Sequence, residues 1–236
     1  MTDLLYKLDN PAWYALNEKH QAFAIGTDII KKYQRRIAPW VGFFSDGKDV
    51  LQQLYPFVEE GEGVYLFDSL PDLFELYRLE TELLCLQMIC NQPLKIEITY
   101  KVEKQEEKNA DEVGSLINLV QPGYYNPGSF LMGEYFGIRQ EGKLVALAGE
   151  RMRMDGLTEV SGVVTHPDFT GRGYAQQLVA YVTNKNLSEG ITAFLHVAAT
   201  NERAIKLYRH LGYEDRRYIM VRKIVKIPKN QERQNM

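Results

Sequence analysis

Val163-Val-Thr-His-Pro-Asp-Phe-Thr-Gly-Arg-Gly-Tyr-Ala175 is the stretch on which the fold turns. β-Branched residues carry a strand as far as Thr165, His166-Pro167 ends it, and Gly171 and Gly173 open a helix that the pattern extends to Ser188. A helix start of this kind presents unpaired N–H groups and the positive end of the helix dipole, and glycine lets a ligand approach that backbone closely. These residues read equally as an anion cradle or as an ordinary tight turn. Two sharper readings drop out. No Gly-Lys-Ser/Thr follows, as a Walker-type phosphate loop requires, and the preceding strands form a hairpin rather than the βαβ start of a dinucleotide fold.

Upstream of this stretch, Tyr135 to Gln140 and Lys143 to Met154 read as strands joined at Glu141-Gly142. Asp155-Gly156 then signals a hairpin in which both turn positions favour positive φ, leading to a strand from Thr158 to Thr165. Downstream, a strand is predicted from Ile191 to Ala198, a helix from Asn201 to Leu211 and a last strand from Tyr218 to Ile227. Further upstream, Leu94 to Val102 reads as a strand, Ala110 to Val120 as a helix and Gln121 to Gly128 as a loop. Near the N-terminus, Trp40 to Phe44, before Ser45-Asp46-Gly47, and Val64 to Phe67 are short strands. Pro71 to Ile89 reads as a helix, with Leu73, Leu76, Tyr77, Leu83 and Leu84 along one face. Pro93, the charged hinge Glu103 to Asp111 and the polar, fraying tail divide the chain into three. Residues 1–94 form a smaller α/β region without readable chemistry, 95–227 an α/β domain of mixed α+β character, and 228–236 the tail.

The chain has 236 residues, 45% hydrophobic and 25% charged, which suits one large or two small cored domains and excludes disorder and disulfide scaffolds. Lys and Arg total 28 against 31 Asp and Glu, a net charge of -3 that argues against a nucleic-acid partner while leaving room for a local anion site. Cys85 and Cys90, taken as helical, point about 140° apart and form neither a CxxC pair nor a disulfide. With no signal peptide or membrane span, the expectation is a reduced, cytoplasmic protein with no membrane partner. His20, His166, His196 and His210 lack zinc-ligand spacing, so no metal is expected, and Ser161 lacks a nucleophile elbow.

Taken in order, Thr165 to Ala175, then Asn201-Glu-Arg-Ala-Ile-Lys-Leu-Tyr208, then Leu211-Gly-Tyr213 resemble the GNAT superfamily of acyl-CoA-dependent N-acyltransferases, and more narrowly its FR47-like branch. The likeness spans roughly residues 95 to 227, and residues 1–94 resemble the N-terminal extension of bacterial members. It implies acetyl-CoA as the coenzyme A substrate, with the pyrophosphate against the amides of Gly171, Arg172, Gly173, Tyr174, Ala175 and Gln176. Thr170 stands where the family usually has Gln or Arg. The pantetheine arm would lie along Val163, Val164 and Thr165 as an added pseudo-strand, with Gly162 either a bulge that opens the sheet or a packing glycine. The resemblance gives Asn201 a pantetheine contact and makes Tyr208 the acid for the departing thiolate. Pattern alone makes Asn201 a helix N-cap and Tyr208 a core aromatic.

An amine acceptor must be neutral to attack, and removing its proton at neutral pH costs about 4–5 kcal/mol. A two-residue hairpin at Asp155-Gly156 would pair Met152 with Glu159 and Glu150 with Ser161, placing both glutamates on one face. They read either as candidate bases or as exposed strand residues paired with Arg151 or Arg153. By resemblance, Glu159 falls where histone-acetylating members carry their base. Tyr124, Tyr125 and Phe130 would wall the acceptor, or pack down their loop. Together these readings imply acetyl transfer from acetyl-CoA to a primary amine on a small molecule or peptide, by direct attack in a ternary complex. A non-catalytic acyl-CoA-binding module, a longer acyl group and an alcohol acceptor are the alternatives, and a homodimer is left open.

Overall fold

The computed structural model describes residues 2–44 and 49–228; the turn expected at Ser45-Asp46-Gly47 and all but the first residue of the expected tail lie outside the described residues. The chain forms two compact units. One contains the chain up to Arg35, Pro39–Cys85 and the part from Ile219 onward, and the other contains Arg36–Ala38 and Leu86–Tyr218. The break thus falls after Cys85 rather than at 94, and the last strand is divided at Ile219, because chain contacts, not the Pro93 signal, set the units.

In the first unit, α1 (Pro11–Asn17) starts where Asn10 Oδ1 accepts from the Trp13 N–H at 3.4 Å, with proline at the first helical position. β1 (Ala24–Gly26), β2 (Ile30–Tyr33) and β3 (Val41–Phe43) form an antiparallel meander, followed by α2 (Val50–Leu54) and β4 (Gly63–Phe67). Gly42 has no alternative, since a Cβ there would lie 2.1 Å from the Trp13 nitrogen. Ile30, Val41, Leu51, Leu54, Leu66 and Tyr77 make the core. Buried Lys32 pairs with Glu62 and also donates to the Phe57 carbonyl at 3.2 Å.

The helix expected from Pro71 to Ile89 is instead β5, Tyr77–Cys90. Phe74 and Glu75 adopt φ of 47° and 56°, which no right-handed helix contains. Leu, Glu, Gln and Met are good helix formers, and their spacing here imitates an amphipathic face. Yet Leu79, Leu83 and Leu84 are exposed, whereas Cys85, Leu86, Gln87 and Met88 are buried in succession, as in a strand covered on both sides. Because residues five apart in a strand point to opposite faces, Cys85 and Cys90, neither of them in a disulfide, are directed apart.

The second unit contains β6 (Glu103–Lys104), α3 (Ala110–Val120), β7 (Tyr135–Gln140), β8 (Lys143–Met154), β9 (Leu157–Thr165), α4 (Tyr174–Ser188), β10 (Thr192–Ala198) and α5 (Glu202–His210). β11 (Glu214–Lys226) begins here, and its later residues pair antiparallel with β4 in the first unit, Val221 with Phe67 and Ile224 with Val64. The strand order is β11-β5-β10-β9-β8-β7-β6, with β9 and β10 parallel and β6 to β9 antiparallel, so the α/β fold is built on a mixed sheet. Alternation along β8 sends Ala146 and Ala148 to the core under α4 and Leu147 to the cluster under α3.

Residues 94–102 are extended but join no strand ladder. Their alternation is real, since Ile96, Ile98, Tyr100 and Val102 pack on the α4 core, but the partner is a helix. Asn184 accepts from the Leu94 N–H at 2.7 Å and donates back to its carbonyl at 2.9 Å, while Gln177 Oε1 accepts from the Thr99 and Tyr100 N–H groups at 2.9 and 3.1 Å. Spaced seven apart, Gln177 and Asn184 share one helix face. Among the described residues no helix is long and apolar enough to cross a membrane. We expect Asn184→Ala to cost about 1–3 kcal/mol by leaving Leu94 unpaired. Hydrogen exchange should quicken from Leu94 to Tyr100 and hold steady in β8.

Candidate active site

β9 meets β10 in register only at Leu157↔Thr192, Thr158↔Ala193 and Glu159↔Phe194. β9 then runs on to Thr165 and β10 to Ala198 without pairing to each other, although β9 stays paired to β8 through Val164↔Leu147 and Thr165↔Ala146. Between Ser161 and Val164, β9 takes three steps against two from Gly149 to Leu147 on β8, and Gly162 sits there at φ 62°. Gly162 is therefore a bulge, which bends and twists β9 where β10 leaves it. The β10-facing backbone groups of Val163 to Thr165 lie along this opening.

β9 leads directly into the glycine turn. His166 Nδ1 takes the Asp168 N–H at 3.3 Å and caps the short turn Pro167–Phe169. Gly171 and Gly173 have φ of 79° and 78°, and a Cβ on either would meet nothing within 4 Å. Backbone conformation, not crowding, requires glycine at both positions. Gly173 caps α4, whose first turn has no acidic residue and no side-chain cap, so the amides of Tyr174, Ala175 and Gln176 and the positive dipole end are uncompensated. Arg172 is exposed and stacks its guanidinium 4.9 Å from the Phe169 ring centre.

Asn201 is the N-cap of α5, accepting from the Ala204 N–H at 3.1 Å. Tyr208 is buried on the inner face of α5, 5.9 Å from the Tyr213 ring, and burial pushes its phenol up to about 12. Among the described residues nothing hydrogen-bonds its hydroxyl. Gly212 follows α5 at φ 86°, its C-terminal cap. In the segment after α3, Tyr124 is exposed, Tyr125 packs against Gly114 with its hydroxyl 3.4 Å from the Ala110 carbonyl, and Phe130 stacks on Tyr135 at 5.4 Å.

The two glutamates do not share a face. Met154↔Leu157 and Arg153↔Thr158 follow the expected hairpin, but the register then slips, pairing Glu150 with Val160 and Gly149 with Ser161. A one-residue slip moves a side chain to the other side of the sheet. Only Gly156 takes positive φ, at 79°, so the turn also differs from the expected type. Glu150 lies on the α4 side, buried, with Lys185 Nζ at 3.2 Å, Arg153 Nε at 3.6 Å and the Glu134 N–H at 3.2 Å. Glu159 lies on the opposite side, fully buried and gripped by Arg151 through two bonds of 2.8 and 2.6 Å, with His196 Nδ1 at 2.7 Å. Burial is the largest influence and raises its carboxyl, but Arg151 and His196 together outweigh it and hold Glu159 at about 2. The pairings with Arg153 and Arg151 are those open to the sequence, but both carboxylates are buried rather than exposed.

His196, which the sequence shows only as a histidine without zinc-ligand spacing, continues the Glu159 contact to Gln87 and Arg216, which no sequence signal singles out because these partners lie up to 129 residues apart. Among the described residues no three His, Cys, Asp or Glu side chains gather as a metal site.

An acyltransferase of the GNAT fold is the class this architecture defines. Residues 135–221 match the family model described as FR47-like protein. A protein from Novosphingobium aromaticivorans assigned to the GNAT acetyltransferase family superposes with TM-score 0.85 and 27% identity, over 94% of this chain and 99% of that one. A GCN5-related N-acetyltransferase from Kribbella flavida (TM-score 0.61, 16% identity, 94% and 97% coverage) shares the fold, as does a GCN5-related N-acetyltransferase-like protein from Streptococcus suis (0.59, 17%, 93% and 96%). A search of curated proteins found no match. The chain has the GNAT acetyltransferase fold, and its residues 135–221 carry the FR47-like match.

A depressed carboxylate contributes stability above its unfolded pKa near 4.3, and that contribution is lost as pH falls through the folded value. Wild type should therefore exceed Glu159→Gln in urea-unfolding free energy at pH 7, with the gap closing as pH drops from about 4 toward about 2.

Proposed function

We propose that the protein transfers an acetyl group from acetyl-CoA to a primary amine on a small molecule or peptide, by direct attack in a ternary complex. The observation that carries this reading is the parting of β9 from β10 immediately before the Gly171–Gly173 turn. An amide-bearing arm can satisfy the open backbone of Val163, Val164 and Thr165 as an added strand. A diphosphate fits the amides of residues 171 to 176, where glycine side-chain space is open and no acid opposes it. Arg172 adds positive charge at the same turn, and Asn201 flanks the end of β10. Tyr124, Tyr125 and Phe130 form the acceptor wall; of these, only Tyr124 is exposed enough to move freely.

Coenzyme A supplies the activated thioester, and the chain supplies alignment and a proton donor. N–H groups near Val163 and Val164 polarise the carbonyl as the amine attacks. The C–S bond then breaks, and the Tyr208 O–H donates toward the departing sulfur. With its phenol near 12, Tyr208 keeps its proton at neutral pH and acts chiefly as a hydrogen-bond donor to a thiolate of conjugate pKa about 8.5. Neither glutamate is a ready base: Glu159 is saturated by Arg151 and His196, and Glu150 faces α4. The amine proton leaves through water instead.

Calorimetry should detect acetyl-CoA binding, and an amine panel should release free thiol only when both substrates are present. Binding without acceptor-dependent thiol would instead indicate a non-catalytic acyl-CoA module. Gly173→Val forces a β-branched residue into left-handed backbone and should weaken acetyl-CoA binding at least about tenfold, for about 1–2 kcal/mol of strain. Tyr208→Phe should slow transfer about 10²-fold with little change in the dissociation constant; an unchanged rate excludes it as the donor.

A further inference from the structure

Five polar side chains, one from each of five neighbouring strands, form a continuous line across the sheet. Arg151 on β8 bonds Glu159 on β9, which bonds His196 on β10; His196 Nε2 lies 2.9 Å from Gln87 Nε2 on β5, and Gln87 Oε1 accepts from Arg216 on β11 at 2.7 Å. The donors and acceptors admit one assignment. Arginine can only donate, so the Gln87 oxygen must face Arg216 and its amide nitrogen must face His196. His196 Nε2 then accepts, and the ring proton sits on Nδ1, donated to Glu159. Gln87 and Glu159 are fully buried and the His196 side chain is 4% exposed.

The line crosses β9 and β10 where they part. Glu159 occupies the last paired rung, opposite Phe194, and His196 lies two residues beyond Phe194 on the same face. The Glu159–His196 bond therefore reaches diagonally over the first unpaired rung. We propose that Glu159 is a positioning residue which, through His196, ties the two strands at the apex of their opening and sets the width of the cleft that receives the pantetheine arm. This rests on the acyl-CoA reading above, and it gives a buried carboxylate at the expected base position a different task. Arg151 holds the Glu159 carboxylate from the β8 side, and Gln87 with Arg216 holds the His196 ring from the β5 side.

Steady-state kinetics with calorimetry on the full chain tests this. Glu159→Ala and His196→Ala should each raise KM for acetyl-CoA about tenfold while kcat falls less than about threefold. Glu159→Gln, whose amide oxygen still accepts from His196, should recover most of the affinity. A kcat loss of about 10²-fold in Glu159→Gln with KM unchanged would mark a general base and overturn the proposal. So would an unchanged KM in His196→Ala, which also serves if the Glu159 variants do not fold. Should the wild type itself bind no coenzyme A, the acyl-CoA reading fails separately. The tie is then judged by amide exchange at Val160 to Thr165, which His196→Ala should speed about tenfold; unchanged exchange overturns it.

Discussion

Backbone N–H and C=O groups left unpaired inside a sheet are costly, so two parallel strands that separate midway need structural support. β9 and β10 do this after Glu159 and Phe194, and the neighbouring features serve that separation. On one side, β8 stays paired to β9 and the Gly162 bulge absorbs the change in direction. On the α4 side, an apolar core from Val160 to Val197 packs beneath the strands. On the opposite side, the polar line from Arg151 to Arg216 crosses the parting strands with its hydrogen bonds matched. The opening is thus a property of three layers, not of the strand sequences alone.

Buried ion pairs repay their desolvation only when the geometry is good and remaining polar atoms are satisfied. Both glutamates on this hairpin meet that condition with different partners on different sides of the sheet. Glu150 joins Lys185 and Arg153 beside α4, and Glu159 joins Arg151 and His196 on the other face. The irregularity between Glu150 and Arg153 produces this division, because one slipped rung exchanges the faces. Two acids close in sequence thereby become two unconnected structural anchors.

Helix α4 has two separate tasks. Its first turn presents the uncompensated amides after Gly173, and its outer face stands in for a missing strand neighbour through Gln177 and Asn184. Polar side chains on a helix can meet extended-backbone donors as a ladder would, and so residues 94–102 stay extended without a strand partner.

Local backbone chemistry was legible in the residues themselves. The strand ends at Gln140 and Met154, the turn at Glu141-Gly142, the glycine turn at 171 and 173 before a helix, the Asn201 cap and the span Ala110 to Val120 all follow from turn chemistry, capping and short-range periodicity. The order of the glycine turn, Asn201 and Tyr208 was enough to indicate the family. Non-local pairing was not legible. The helix-like spacing of Tyr77 to Cys90 yielded to strand neighbours distant in sequence, and Leu94 to Val102 alternated correctly but met a helix. The sides taken by Glu150 and Glu159 depended on a bulge that no residue type announces, and the line through Gln87, His196 and Arg216 joins strands up to 129 residues apart. Sequence by itself determined where the backbone can turn, start a helix or carry a glycine, because those energies are local. Which strands lie side by side, and so which charges meet, was decided by tertiary structure, because that energy exists only once distant segments pack.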